Sequence, residues 1–406
     1  MSQQAAAPGA FENSGQKNVD EEARLGAIRE VIDEIDGNIL KLLNKRASLS
    51  LEVGKIKKHK ADRIYKPLRE KELIDKLFAQ NSGPLPDTHL ASIWREILSS
   101  SRELQRPQKI AYLGPEGTFS HFAGMDYLGH SATFQPCRDI LQVFEEVCSG
   151  SCDLGVIPLE NSLQGSVGVS LDLFLKHEAI INAELYSRIT HSLLSNCANF
   201  SEIRRVYSHP QPLAQCQGWL RANLPNVELV PVESTAAAAK QAAADAHGAS
   251  IGHPRLAKMN DLEILANKIE DEPGNWTRFV IISTPKFGND KKTLPIVSTG
   301  VDKTSILFTV PDKPGALSQI IELFARHKVN MRKLESRPMR GQPWKYVFFA
   351  DVESALEEVD NGLLLQKLDQ ACNSFRILGC YAAGSQIDNT AKDEAVIENK
   401  EAITDE

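Results

Sequence analysis

The sequence predicts a multidomain protein with an all-α domain, an α/β domain and a small α+β domain, in that order. Residues 22–60 keep an apolar three-four spacing without proline, which is typical of one long helix. Residues 108–285 alternate short β-branched runs with helical patterns, which indicates an α/β domain. The remaining segment, about 304–382, has the order βαββαβ. At 406 residues the chain is also too long for one ordinary domain.

Composition narrows the class of protein. With 42% hydrophobic and 24% charged residues, the chain resembles soluble globular proteins, and its net charge of -7 argues against a nucleic-acid partner. No segment has the apolar length of a membrane span, and no signal peptide is visible, so we expect a cytoplasmic protein without a membrane partner. The seven cysteines lack a Cys-x-x-Cys pair, which favours buried reduced thiols over disulfides or a metal. Neither a metal nor a cofactor is expected.

Changes in composition set the predicted boundaries. The polar, aperiodic ends are predicted to be disordered, and a Gly-Asn-Lys-rich stretch is predicted to be a linker. The predicted parts are a tail at 1–20, an all-α domain at 21–106, an α/β domain at 107–286, a linker at 287–295, an α+β domain at 296–384 and a tail at 385–406.

The first domain carries a helix that a small domain cannot cover alone. Residues 22–60 would exceed ~50 Å at 1.5 Å per residue, so we expect a homodimer or a higher homo-oligomer. Two shorter helices are predicted at 68–80 and 87–105, the first preceded by Pro67.

Basic residues on the long helix suggest an anion site. Arg46 and Lys57 are eleven residues apart, so they share one face with ~16 Å between their origins and could converge on a small dianion. Arg29 lies ~25 Å from Arg46 along the axis and is rotated away, so it would serve the partner chain's site. A solvated basic face is the simpler interpretation. Two further polar clusters favour a site: Arg69 with Glu70, and Ser101 with Gln105 one turn apart.

Three stretches of this domain resemble the all-helical chorismate mutase family: "IREVIDEIDGNILKLLNKRASLSLEVGKIK", "PLREKELI" and "SSSRELQ". The resemblance implies that Arg29 of the partner chain and Arg46 hold the substrate carboxylates with support from Ser101. It also implies that Lys57 and Gln105 reach the ether oxygen, that Glu70 contacts the ring hydroxyl, and that Arg69 belongs to the chorismate site. Many relatives carry Asp where this chain has Lys66. A pericyclic rearrangement needs only a held conformation and positive charge at the breaking bond.

The α/β domain places polar residues where strands lead into helices. "GPEGTFS", "PLENSLQGSV", "SHPQPLAQC" and "ESTAAAAK" are such junctions, and each alone is most simply explained by helix capping. No nucleotide-binding glycine loop occurs. Together the junctions predict a cleft of helix amides and hydroxyls suited to a small carboxylated ligand.

These junctions, followed by "NWTRF", resemble prephenate dehydratase, a family with two lobes like a periplasmic binding protein. The resemblance makes Thr277 the candidate catalytic residue and Arg278 a carboxylate ligand, with Glu160 as the second choice of proton source. One departure from the family is "ASIGHPRLAKMND", where His253 and Pro254 replace the usual small residues. The implied prephenate-binding residues are Thr118, Glu160, Asn161, Ser162, Ser208, His209, Ser234, Thr235 and Arg278.

The last domain has the order of a ferredoxin-like fold and resembles the ACT domain through "GALS" (315–318) and "ESRP" (335–338). The resemblance implies that L-phenylalanine binds at these tetrapeptides, between two paired domains. A turn glycine and a solvated strand edge are the simpler interpretation. The implied effector site comprises Gly315, Ala316, Leu317, Ser318, Glu335, Ser336, Arg337 and Pro338.

As a whole, the resemblance is to bifunctional chorismate mutase–prephenate dehydratases, at once isomerase and carbon-oxygen lyase. It implies conversion of chorismate through prephenate to phenylpyruvate, with feedback inhibition by phenylalanine. Two alternatives remain open. The first domain could be only a dimerising helix, or the whole chain could be an amino-acid sensor without activity.

Overall fold

The structure, a computed structural model, describes residues 13–57, 65–285, 302–339, 345–356 and 362–387. The predicted tail residues 1–12 and 388–406 and the predicted linker 287–295 lie outside this set. Among the described helices, none has the length and apolar character that crossing a membrane requires.

The first domain consists of three helices. They are α1 (Asn13–Lys57), α2 (Pro67–Gln80) and α3 (Asp87–Gln105). The α3 bounds are those predicted from the sequence. The start of α1 corrects the prediction, since residues 13–20 are helical rather than part of a disordered tail. No proline interrupts 13–57, and good helix formers such as Glu21, Glu22 and Ala23 extend the helix toward its N-terminus.

One face of α1 bears apolar side chains that no other described residue of the chain covers. These exposed residues are Leu25, Ile28, Ile32, Ile35, Ile39, Leu42, Leu49, Val53 and Ile56. A continuous apolar stripe of this length is typical of a helix that packs against another chain.

The second domain has two sheets flanked by helices. Its elements, in chain order, are β1 (Lys109–Leu113), α4 (Phe119–Leu128), β2 (Thr133–Cys137), α5 (Ile140–Ser149), β3 (Leu154–Asn161), β4 (Gly165–Ser166), α6 (Gly168–Lys176), β5 (Ile180–Arg188), β6 (Ser192–Ser195), β7 (Arg205–Ser208), α7 (Pro210–Gln215), α8 (Gln217–Asn223), β8 (Glu228–Pro231), α9 (Thr235–Ala244), β9 (Gly248–Gly252), α10 (Arg255–Met259), β10 (Glu263–Ala266) and β11 (Trp276–Ser283).

The third domain has the predicted βαββαβ order. Its elements are β12 (Asp302–Thr309), α11 (Ala316–Arg326), β13 (Asn330–Pro338), β14 (Tyr346–Glu353), α12 (Gly362–Ala371) and β15 (Ser374–Ala382). The four strands form an antiparallel sheet in the order β13-β14-β12-β15. This is the arrangement expected of a ferredoxin-like domain.

The sheets of the second domain define its two lobes. The first has the order β16-β5-β11-β3-β1-β2, with β4 beside β3, where β16 is Ser385–Ile387. The second has the order β10-β6-β9-β7-β8. The chain passes between the lobes twice, after β5 and before β11, so the two-lobed architecture implied by the resemblance is confirmed.

The strand β16 is a second correction, because its residues were predicted to belong to a disordered tail. After leaving the third domain, the chain pairs in parallel with β5, placing Gln386 opposite Tyr186. The edge of β5 offers unpaired backbone groups, and pairing with them orders a segment that has little apolar content of its own.

The first sheet is covered on both faces. One face packs with α4 and with Tyr65 of the first domain. The opposite face packs with α5, α6 and the third domain, whose Leu307, Phe349 and Leu378 belong to the same core as Leu159 and Ile181. The third domain is thus part of the core of the second. All seven cysteines lie among the described residues, none forms a disulfide there, and each is buried or partly buried.

Candidate active sites

The helical domain brings two predicted carboxylate-binding residues into contact. Arg46 lies on α1 and Ser101 on α3, and the Arg46 guanidinium donates to the Ser101 hydroxyl and, at 3.4 Å, to the Ile97 carbonyl. Burial lowers the pKa of Arg46, while nearby Glu70 raises it. A half-buried guanidinium beside a hydroxyl is well suited to binding a carboxylate.

Lys57 and Gln105 form a second polar pair in the same groove, one turn further along α3 and about three turns further along α1. Lys57 Nζ donates to Gln105 Oε1 at 3.3 Å. The approach of α1 to α3 depends on Gly54, because a Cβ there would lie 2.9 Å from the Gln105 Cα. The groove therefore has two cationic side chains and two polar partners on facing helices.

Glu70 reaches this groove from α2. It is held there by Arg102 of α3, a residue that the sequence analysis did not single out. Arg102 Nη1 lies 2.6 Å from both Glu70 carboxylate oxygens. The Arg102 side chain is only 6% exposed. The residue stands in "SSSRELQ" directly after Ser101, but successive helix positions differ by about 100°, so sequence spacing alone did not place it with the site.

Two residues of the predicted chorismate site, Arg29 and Arg69, do not join the groove within one chain. Arg29 is exposed and lies ~25 Å from Arg46 along α1 at 1.5 Å per residue. Arg69 is exposed beside Glu70, and Lys66 is exposed just before α2. Only a second chain could bring Arg29 to this groove.

In the second domain, Thr277 pairs with Asn161 across β11 and β3. Asn161 Nδ2 donates to Thr277 Oγ1 at 3.0 Å and to Asn275 Oδ1 at 2.7 Å. Asn161 Oδ1 accepts the backbone N–H groups of Leu163 and Gln164, which fixes the orientation of the amide. Since Thr277 Oγ1 accepts a hydrogen bond here, its own proton is available to donate to a ligand.

A cavity of about 460 Å³ lies beside this pair, between the lobes. Its size is within the range of small-molecule sites. Its lining includes Gln215 and Asn275, which the sequence analysis did not name although both lie in its motifs. Gln215 Oε1 is 2.8 Å from Nε2 of the buried His191. The lining residues are Leu163, Gln164, Gln211, Ala214, Gln215, Glu270, Asp271, Glu272 and Asn275.

Several predicted prephenate-binding residues are engaged with the backbone. Ser208 donates to the Ile251 carbonyl at 2.7 Å, and Ser234 caps α9 by accepting the Ala237 N–H at 3.0 Å. Helix capping is therefore the role that the structure shows for Ser234 and His209, whereas Thr118, Ser162 and Ser208 bond to backbone outside the helix termini. The residues with such backbone bonds are Thr118, Ser162, Ser208, His209 and Ser234. Thr235 is buried in the first turn of α9.

Arg278 lies on the opposite face of the sheet from Thr277, because neighbouring strand residues point to opposite sides. Its Nε is 2.7 Å from Glu184, its Nη1 is 2.5 Å from Asp351, and Tyr381 accepts from its Nη2 at 3.0 Å. Burial lowers the pKa of Arg278, but these three partners raise it well above its usual value. The geometry corrects the expectation of a cleft residue and assigns Arg278 to the interface with the third domain.

Glu160, opposite Arg278 on β3, shares this interface. Its carboxylate is 3.0 Å from Lys333 Nζ and 3.7 Å from the Arg278 guanidinium. The second choice of proton source is therefore paired with cations on the face away from Thr277.

The two tetrapeptides of the third domain differ in their surroundings. Gly315 has φ 82° and ends the turn before α11, a conformation that glycine adopts without strain. In "ESRP", Glu335 accepts from Ser166, and Arg337 Nη2 is 3.1 Å from Asp172. Residues expected at a phenylalanine site thus contact the second domain of the same chain.

Comparisons with known proteins agree with this architecture. Family models match in the same order: chorismate mutase type II over residues 28–106, prephenate dehydratase over 110–287 and the ACT domain over 304–370. The fold and its two sites thus define a bifunctional enzyme with a regulatory domain. A bifunctional chorismate mutase/prephenate dehydratase of Aquifex aeolicus is 40% identical, over 88% of this chain and 97% of that protein. The chain belongs to the bifunctional chorismate mutase/prephenate dehydratase family.

Two solved structures resemble about two thirds to three quarters of the chain. Prephenate dehydratase from Arthrobacter aurescens in complex with L-Phe is 32% identical with a TM-score of 0.61, covering 73% of this chain and 98% of that one. A protein described as a quorum quenching acylase, GqqA, is 30% identical with a TM-score of 0.60, covering 68% of this chain and 98% of that one.

Proposed function

We propose that the protein converts chorismate to prephenate in its helical domain and prephenate to phenylpyruvate in its two-lobed domain, under feedback inhibition by L-phenylalanine. The observation that carries the proposal is that two separate polar sites, each suited to one of these reactions, occur in two domains of one chain.

The helical groove supplies what the rearrangement requires. Arg46 and Ser101 would hold a carboxylate of chorismate in the folded conformation that brings the two reacting carbons together. Lys57 and Gln105 would donate to the ether oxygen, which becomes negative as the C–O bond breaks. Glu70 would accept from the ring hydroxyl. No nucleophile or proton carrier is needed.

The cleft supplies a donor for the leaving hydroxyl. In the dehydration, the electrons of the breaking carbon–carboxylate bond form the aromatic ring, carbon dioxide leaves, and the ring hydroxyl departs with a proton as water. Thr277, oriented by Asn161, would donate a hydrogen bond to that hydroxyl as it becomes negative. Asn275 and Gln215 would contact the rest of prephenate.

We further propose a homodimer whose chains complete each other's chorismate sites. The exposed apolar face of α1 supports this, since a second α1 is a matching partner for it. The pairing would also provide Arg29. Seven free thiols are consistent with the reducing cytoplasm, where we expect the enzyme to function.

Support for phenylalanine as effector comes from the L-Phe complex of the Arthrobacter aurescens relative and from the left-handed Gly315 at the start of α11. The free amides of that helix terminus suit the carboxylate of an amino acid. Gly315→Val, which strains this backbone, should weaken phenylalanine binding by calorimetry and leave uninhibited turnover unchanged.

The test is to supply the purified full-length protein with chorismate and to follow prephenate and phenylpyruvate by chromatography. Wild-type protein should form phenylpyruvate, and Thr277→Ala should accumulate prephenate because removing such a donor lowers turnover by roughly 100-fold or more. Thr277→Ser, which keeps the hydroxyl, is the matched control and should retain most dehydratase activity. Chorismate left unconverted by the wild type would refute the proposal, and Thr277→Ala at wild-type rate would remove Thr277 from the mechanism.

A further inference from the structure

Arg102 connects the Glu70 carboxylate of the helical domain to the two-lobed domain. Its Nη1 is 2.6 Å from both oxygens of Glu70, and its Nη2 donates to the backbone carbonyl of Leu128, the last residue of α4. The Arg102 and Glu70 side chains are 6% and 24% exposed. One nearly buried guanidinium thus makes two hydrogen bonds within the helical domain and a third across the domain boundary.

The packing around Arg102 leaves it little freedom. Its guanidinium lies 5.7 Å from the ring centroid of Tyr65, a fully buried residue. Beside it, Ser99 Oγ accepts the Ser131 N–H at 3.1 Å, and a Cβ on Gly129 would lie 2.4 Å from the Ser99 Cβ. Two domains in such close contact hold a side chain in one rotamer.

The charges around Glu70 show why its partner matters. Burial raises the pKa of Glu70, whereas Arg102, by charge and hydrogen bonding, and then Arg46 lower it. The hydroxyls of Tyr65 and Tyr127 are the other titratable groups that face this carboxylate. If Arg102 were absent, Arg46 would be the cation left beside Glu70 among the residues that the structure describes. Arg46 would then have two competing roles, pairing with Glu70 and binding the substrate carboxylate.

We propose that Arg102 is a positioning residue of the chorismate site. Anchored to the backbone of α4 in the dehydratase domain, Arg102 holds Glu70 in place and keeps it away from Arg46. The inference rests on the proposed role of Glu70 at the ring hydroxyl.

The first test is Arg102→Met in the full-length protein, assayed separately with chorismate and with prephenate. Mutase kcat/KM should fall tenfold or more, while dehydratase kcat/KM stays within twofold of wild type. The acid limb of the mutase pH profile should move to higher pH, because burial then acts on Glu70 unopposed by Arg102. Arg106→Met is the matched control. Arg106 pairs with Asp153 at 2.5 Å across the same domain boundary, so its loss should leave both activities within twofold.

A double-mutant cycle then shows whether Arg102 acts through Glu70. In a Glu70→Gln background, Arg102→Met should lower mutase activity by less than threefold, since there is no carboxylate left to position. Should Arg102→Met fail to fold, Arg102→Lys decides the matter: it keeps the charge, and its acid limb should lie close to that of the wild type while its kcat falls.

The outcomes separate this inference from the proposed function. Wild-type mutase rates in folded Arg102→Met, or an equal loss in the presence and absence of Glu70, would overturn the role of Arg102. The role of Arg102 would also be overturned if the acid limb of the mutase pH profile moved by the same amount in Arg102→Lys and in Arg102→Met. A Glu70→Gln enzyme that rearranges chorismate at the wild-type rate would instead overturn the proposed role of Glu70.

Discussion

At the scale of single residues, the pair Thr277 and Arg278 shows how one strand serves two regions. Thr277 accepts a hydrogen bond from Asn161 on the face of β11 beside the interlobe cavity. Arg278 lies on the opposite face, where it pairs with Glu184 of β5 and with Asp351 of the third domain. From the "NWTRF" motif, both residues were expected to belong to one site. Strand alternation, which is predictable, argues against a shared site, but the identity of the opposing carboxylates depends on how distant segments pack.

The ion pair of Asp351 with Arg278 predicts acid sensitivity. Burial raises the pKa of Asp351, but Arg278 and the Ser305 hydroxyl lower it, and the net direction is downward. A carboxyl with a depressed folded pKa stabilises the protein above its unfolded pKa of about 3.9, and this stability is lost as the pH falls through the folded pKa. Wild-type protein should therefore lose unfolding free energy below about pH 5, measured by denaturant titration at several pH values.

The variant that isolates this pair is Asp351→Asn. It should be about 3 kcal/mol less stable at pH 7, because Arg278 stays buried with one anion fewer, and its stability should depend less on pH. Asp312→Asn changes an exposed aspartate of the same domain and should reproduce the wild-type curve. Identical pH slopes in Asp351→Asn and wild type would show that the pair does not set the acid limit.

At the scale of elements, helix α3 shows what a sequence can predict well. Its bounds at 87 and 105 follow from local periodicity, and Ser101 and Gln105 share a face because both lie on one regular helix. Arg102, one position along, could not be assigned because its partners lie on α2 and α4. The apolar periodicity of the sequence predicts the geometry within one helix, but it does not predict which elements pack against each other.

The close crossing of α1 and α3 predicts that two glycines of α1 respond differently to replacement by alanine. Gly54→Ala would place a Cβ 2.9 Å from Gln105 Cα, a backbone atom that cannot move aside. The helices must separate, and mutase kcat/KM should fall roughly tenfold or more, since small displacements of catalytic groups are expensive in rate. Gly37→Ala is the control, because no atom lies within 4 Å of the added carbon. It should retain activity and gain about 0.5–1 kcal/mol in stability. Equal mutase rates in the two variants would contradict the tight crossing.

At the scale of the whole molecule, the proposed dimer makes a prediction about mixtures. An Arg29→Ala chain and a Lys57→Ala chain should each be inactive as mutases. Once subunits exchange, one of the two sites in each mixed dimer has both residues intact, so about a quarter of wild-type activity should return. Mass spectrometry of differently labelled chains would establish exchange. Exchange without recovered activity would mean that Arg29 does not serve the partner's site.

The shared core revises an expectation from the sequence about truncation. The domain order alone suggests that a chain ending near residue 285 keeps some dehydratase activity and loses its response to phenylalanine. In the structure, Leu307, Phe349 and Leu378 cover Leu159 and Ile181, and Asp351 pairs with Arg278. We therefore expect the shortened chain to lose its cooperative unfolding transition and most dehydratase activity. Full activity with a wild-type melting curve would show that the core of the second domain is sufficient alone.

The short strand β16 occupies an edge of the first sheet that would otherwise be open to other molecules. Without it, β5 would be the free edge of a large sheet, and Leu185, Tyr186 and Ser187 would present unpaired backbone groups to other molecules. Such an edge is a template for intermolecular strand addition and aggregation. Since Ser385–Ile387 occupy it, a chain cut at residue 384 would retain all three domains and still expose this edge. We therefore expect the chain cut at residue 384 to aggregate more readily than wild type in a concentrated solution.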